Sequence, residues 1–258
     1  MRLRALTCLA TLLALPAFAA TEDELWAQAK SAAKAFERAV GVPVMWLEGD
    51  PAKGQAVTQG IIAFPPTALD AATSTPALLA ELSAYPKDFL KRSGLKRLLV
   101  ARGLERNGQP WGGFAIRSGP HAGTLVVSLG SLSWAAIAIH HEVFHLTQLT
   151  GPARGSLSGW RSCNPSGFGY ASEGPIDRSR ARVATITEYA QTNVEEDQAE
   201  TFAWALVDAA FVEQQSKQDE GIACKVKLVR ESVKAVDSSF DAERWSRLAK
   251  RLRGEALP

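Results

Sequence analysis

An α+β domain is the architecture this sequence predicts. Strand-like apolar runs fall mainly in the first half and helical periods in the second, no linker divides the chain, and 46% of its 258 residues are hydrophobic, enough for a core of its own. That composition excludes disorder as the main state, and Gly and Pro scatter without a repeat. Lys and Arg number 29 against 27 Asp and Glu. Arg2 and Arg4 stand in a leader expected to be removed, and residues 1–20 hold no acid, so their loss leaves 27 against 27. Such a balance gives no field that would draw in nucleic acid or an anionic membrane.

The elements follow in order. Residues 1–19 read as a signal peptide: a basic start, an apolar stretch from Ala5 to Leu15, a break at Pro16, then the small-x-small pattern Ala17-Phe18-Ala19. The apolar run is too short for the roughly 20 residues that span a bilayer, so export without a stable membrane anchor is expected. Residues 20–258 are expected to form one domain. Residues 22–39 have acids in the first turn, Trp26, Ala33 and Phe36 near one face, and Gly41 as a stop, which predicts a helix. Residues 42–49 are a strand candidate, and 50–76 are rich in Pro, Ala and Thr around a short apolar run at 61–64. Ala77 to Ser93 reads as helix, with Pro86 starting a second short one. KRLLVARGLE (96–105) reads as a strand, NGQPWGG as a turn, and GFAIRSG and GTLVVSLG (123–130) as two further strands. From Ser131 the period becomes helical through Gln148, stopping at Gly151. Residues 151–182 are irregular. Helix returns from about Asn193 to Gln215 and from about Ser239 to Leu252, the latter a basic amphipathic stretch with interspersed acids that reads as packing.

Export sets the cysteine arithmetic. Cys8 leaves with the leader, so Cys163 and Cys224 remain, and two cysteines in an oxidising compartment are expected to pair. The bridge would close a loop of about 61 residues, worth roughly 4 kcal/mol on the chain-entropy account.

The chemistry concentrates at His141-Glu142-Val143-Phe144-His145, an H-E-x-x-H pattern within WAAIAI…LTQL. On a helix, positions i and i+4 share a face, so both imidazoles reach one metal ion, while Glu142 sits where a general base touches water without ligating. Burying His, Glu and His in so apolar a helix costs several kcal/mol unless something binds them. Two histidines with a carboxylate and a water point to one zinc per chain. Gln148 and Gly151 exclude the extension that would supply a third histidine. The third ligand is sought instead in TEYAQTNVEEDQAETFAWAL (187–206), where Glu196 and Glu200 stand i, i+4 with small Ala199 between. With Thr192 as N-cap, Glu195 would occupy a capping box. Glu196 is favoured as ligand because it pairs with Glu200 across one turn, and Glu195 is its rival.

Tyr189, Thr192-Asn193, Glu196, Ala199-Glu200 and Phe202 match the Y-x-x-T-N-x-x-E-x-x-A-E-x-F pattern of the lethal-factor-like zinc metalloproteases, which this stretch resembles. The sequence also resembles a set of exported bacterial proteins regarded as zinc-binding metallopeptidases. That likeness rests on His140-His141-Glu142 with Phe144-His145, on W-x-x-x-N-P-x-G-F-x-Y at Trp160 to Tyr170, and on Y-A-x-T near the third ligand; it spans roughly residues 84 to 206. It implies a zincin-like fold, His141, His145 and Glu196 as ligands, Glu142 as base, Tyr189 as the hydroxyl supporting the oxyanion, and Glu200 as a group supporting a ligand. The insert at 151–186 departs from lethal factor, so the substrate does not carry over.

Other polar residues are expected to be structural: His140 turned from the metal side, His121 in a loop, and Asp197 and Asp208 as solvated or capping charges. Trp160, Phe168 and Tyr170 line a cleft or cover the helix. GTLVVSLG is where an extended peptide would add as a strand. The expected activity is peptide hydrolysis by zinc-activated water on a peptide or protein substrate. The rivals are an exported zinc-binding adhesion or sensing module without turnover, and a hydrolase of cell-wall peptides.

Overall fold

The structure, a computed structural model, describes residues 20–252 apart from 59, 87 and 174–182, so the expected signal peptide lies outside the described residues. Helix α1 (Glu22–Val40) starts at a capping box in which Thr21 and Glu24 satisfy each other's backbone N–H, and it ends at Gly41. Strands β1 (Val44–Trp46), β2 (Gln55–Thr58) and β3 (Ile61–Phe64) follow. Helix α2 (Ala68–Leu82) begins nine residues before the expected start, because Thr67 and Asp70 form a second capping box and the helix runs on through Pro76. Helix α3 (Phe89–Arg92) is a single turn.

The expected strand at 96–105 is two strands, β4 (Arg97–Ala101) and β5 (Gly103–Arg106), which belong to different sheets. The expected turn NGQPWGG is a turn only at Asn107-Gly108, both at positive φ, the pair that tight hairpins favour; Gln109–Trp111 is strand β6. Strands β7 (Gly113–Ile116) and β8 (Thr124–Ser128) lie where the sequence places them.

Among the described residues the strands form two four-stranded sheets, a mixed one ordered β1-β4-β8-β7 and an antiparallel one ordered β2-β3-β5-β6. In the mixed sheet β8 pairs parallel with β4 (Leu98 opposite Leu125) and antiparallel with β7 (Ala115 opposite Leu125). All five β8 residues are buried, as expected of a strand with neighbours on both sides and covered faces. This overturns one expectation. GTLVVSLG has no free edge for a peptide; the outer strand beside the site is β7.

Helix α4 (Leu132–Thr147) crosses this sheet and packs against α6 (Val194–Val207). Val143, Phe144 and Leu146 are buried, Phe144 stacking on Phe202 at 4.7 Å between centroids, and each such side chain contributes about 1.5–3 kcal/mol. Between α4 and α6 lies a short helix, α5 (Gly151–Ser156), within the stretch expected to be irregular. The helix expected from Asn193 to Gln215 breaks at Asp208, whose carboxylate caps α7 (Ala209–Gln218) by accepting from Phe211 N. Helix α8 (Glu220–Val236), absent from the sequence reading, buries Ile222, Val226, Val229 and Val233 along one face. Helix α9 (Ala242–Leu252) buries Trp245 and Leu248, the packing role expected of it. The Cys163–Cys224 disulfide is present and ties the α5–α6 connection to α8.

Candidate metal centre

Helix α4 delivers His141 and His145 to one face, their rings 4.6 Å apart at 84°. From α6, one oxygen of Glu196 meets both: Oε2 lies 2.9 Å from His141 Nε2 and 3.3 Å from His145 Nε2. One ligand atom from each of the three lies within 4.8 Å of the others, a set that suits a metal ion. Glu195 is exposed and lies off this face.

The far nitrogens explain why these lone pairs converge. His141 Nδ1 lies 2.9 Å from Glu200 Oε1, a carboxylate that only accepts, so Nδ1 carries the proton. Glu200 is itself fixed by Thr187 Oγ1 at 2.7 Å and Trp204 Nε1 at 3.3 Å. His145 Nδ1 lies 2.9 Å from Gln148 Oε1. The Gln148 amide cannot be turned, because its Nε2 donates to Glu195 O and to Gln198 Oε1. Both imidazoles therefore hold their proton at Nδ1 and aim Nε2 at Glu196, a donor set that would suit a metal ion.

The charges agree. Burial alone would lower the His141 pKa, but hydrogen bonds to Glu196 and Glu200 and the charge of Glu142 carry it to about 10. Burial would raise Glu196, yet the two histidines hold it far below the usual carboxylate range. A proton on His141 Nε2 bridges to Glu196, so a metal ion bound there would have to displace it.

Glu142 points the other way along the helix, toward the sheet. Its Oε2 accepts from Ala115 N on β7 at 2.8 Å, and burial raises its pKa against the pull of His145 and His141. Gly113 makes this approach possible: a Cβ there would sit 3.0 Å from Val126 O and 3.5 Å from Glu142 Cγ. Gly112 O accepts from Ser128 N on β8 and Ile116 O from Gly123 N just before it, so by the antiparallel alternation Gly113 and Ala115 turn their peptide groups to the open side. A cleft of about 580 Å³ opens beside Glu142 and His141, walled by Trp111, Ile137, Ala138 and Trp204. Tyr189 stands at its rim, partly exposed, its ring 5.9 Å from that of His141. Burial, then the charges of Glu196 and Glu142, raise its pKa.

Two expectations are corrected. The N-cap of α6 is Asn193, not Thr192: its Oδ1 accepts from Glu196 N at 2.8 Å, while Thr192 closes the preceding 3-10 turn, so Glu195 forms no capping box with Thr192. Asp197 is neither solvated nor a cap; it is fully buried and ion-paired with Lys225 at 2.6 Å. Of the two roles left open for Trp160 and Tyr170, the buried one holds: both lie in the interior and hydrogen-bond Asp197 rather than line the cleft. His140 does face away from the cluster, and His121 is an exposed loop residue. Gln148 and Thr187 escaped the sequence reading, since neither has a motif spacing of its own.

No sequence family matches the chain, and no curated protein matches it. Among solved structures it is similar to a protein from Bacteroides caccae whose crystal structure is described, provisionally, as that of a zinc-binding metallo-peptidase. The TM-score is 0.54 at 16% identity, covering 91% of this chain and 96% of that one. At that identity the likeness is one of fold.

Proposed function

We propose that this chain is an exported zinc-dependent peptidase of the zincin type, with a metal site of the lethal-factor-like order: His141 and His145 on one helix and Glu196 on the next. The observation that carries this reading is the convergence of two histidine Nε2 atoms on one Glu196 oxygen, with buried Glu142 beside them on an open strand edge. A single zinc ion held there would polarise a carbonyl and acidify a water molecule.

The chain's own residues supply the remaining steps. Glu142 takes a proton from the attacking water as the new C–O bond forms, and passes it to the amine as the C–N bond breaks; its raised pKa makes it the better base. Tyr189, whose hydroxyl is protonated at neutral pH as any tyrosine's is, donates to the oxygen that gains negative charge. Glu200 and Gln148 hold the histidine rings. A peptide adds along the open edge of β7 at Gly113, and the apolar walls of the cleft favour a bulky apolar side chain over a polar cell-wall peptide.

The experiment is metal analysis of purified protein together with cleavage profiling on a peptide library. About one zinc per chain is expected, with cleavage beside large apolar residues. Glu142→Gln should keep the metal and lose turnover. Equal zinc loss in that variant would make Glu142 a ligand and sink the mechanism, and intact zinc binding with no cleavage in the unmodified protein would favour a binding module.

A further inference from the structure

The Lys225–Asp197 pair takes no part in the chemistry above, yet Lys225 is 1% exposed and Asp197 0%. Burying an ion pair costs more than the attraction returns unless hydrogen bonds saturate it, so such a pair is weak evidence for stability alone. Here Lys225 Nζ donates to Asp197 Oδ2 and to Ala184 O, both at 2.6 Å. Asp197 Oδ2 also accepts from Tyr170 Oη at 2.7 Å and Trp160 Nε1 at 2.9 Å. The rings of Trp160 and Phe168 lie 5.5 and 5.4 Å from the ammonium group.

What this group connects is more telling than its strength. Asp197 follows Glu196 in the first turn of α6, so anchoring it fixes the rotation that turns Glu196 toward the histidines. Ala184 opens the segment that brings Thr187 to Glu200 and Tyr189 to His141. Its peptide is held at both ends by α8 residues or their cap, since Ala184 N also donates to Asp219 Oδ2 at 2.7 Å. The Cys163–Cys224 bond lies one residue from Lys225 and pins the stretch that carries Trp160 and Tyr170 against the same helix.

We infer that Lys225 is a positioning residue for the metal centre: a buried bolt from α8 that fixes the Glu196 helix and the Tyr189 segment relative to each other. This rests on the metal-site reading above. Asp197→Asn combined with Lys225→Met removes both charges together, orphaning neither, and leaves an acceptor for Trp160 and Tyr170. Zinc affinity is read by competition with a chromophoric chelator, folding by the thermal midpoint of zinc-free protein, and turnover on the best library peptide. The double variant should fold but melt somewhat lower, since Ala184 O loses its Lys225 donor, bind zinc about 10- to 100-fold more weakly, and lose kcat more than it gains KM. Tyr170→Phe, which keeps the ring and drops one hydrogen bond to Asp197, should weaken zinc by a smaller factor with little change in melting. A folded double variant with unchanged zinc affinity overturns the inference. If the double variant does not fold, Tyr170→Phe decides, and unchanged affinity there overturns it equally. An unmodified protein that takes up no zinc overturns the metal-site reading itself, a result obtained before any variant is made.

Discussion

The two faces of α4 carry neighbouring histidines in opposite roles. His140 is wholly buried, with Nδ1 2.5 Å from Tyr85 Oη and Nε2 3.3 Å from Glu81. Its ring packs edge-on to Tyr85, itself stacked on Phe89. His141 and His145 are nearly as buried and just as fully bonded at both nitrogens. Burial and hydrogen bonding therefore do not separate the two kinds. His140 gives its nitrogens to separate partners, whereas His141 and His145 aim one nitrogen each at a single oxygen of Glu196. Convergence on a point marks the candidate site.

Several experiments would break or sharpen that contrast. His145→Ala should abolish metal retention, by atomic analysis after dialysis, because it removes one of three protein ligands; retained zinc would move the site elsewhere. Next in size is pH. The folded pKa of His141 is raised from 6.5 to about 10, so its contribution to the stability of metal-free protein is complete below pH 6.5 and is lost as pH rises through 10. Zinc must displace the same proton, so its affinity should climb about tenfold per pH unit across that window, measured by chelator competition; a flat profile would count against a proton shared with Glu196. Gln148→Leu frees the His145 ring and should weaken zinc about 10- to 100-fold, the usual cost of losing a group that orients a ligand. The smallest effect belongs to the other face. His140→Leu leaves the Tyr85 hydroxyl unpaired and should cost about 1–3 kcal/mol in urea unfolding, with zinc affinity unchanged.

The same contrast shows what a sequence makes legible. Helix α4 and the pair His141 and His145 are readable because one local spacing encodes both the helix face and the candidate ligands. Glu196 and Glu200 are readable for the same reason, one turn apart on α6. The cap of α6 is missed by one residue because Thr192 and Asn193 are both good caps, and only the 3-10 turn that uses up the Thr192 N–H decides between them. Asp197 reads as a surface charge because its partner Lys225 lies 28 residues away on a helix the sequence reading passed over. The pairing of β8 with β4 is likewise non-local, so nothing in GTLVVSLG announces that both of its edges are taken. Local periodicity thus locates the chemistry, while the partners that orient it come from distant chain.

Helix α8 lies later in the chain than every residue of the metal cluster. Synthesis at roughly 5–20 residues per second delivers both histidines, Tyr189 and Glu196 seconds before Cys224 and Lys225 exist. In that interval Asp197 on α6 lacks its lysine and Cys163 lacks its disulfide partner. A half-made chain can hold the right side chains and still lack their arrangement. The arrangement of the candidate site then waits on α8, and oxidation of Cys163 with Cys224 is the covalent step that joins that helix to the chain made before it.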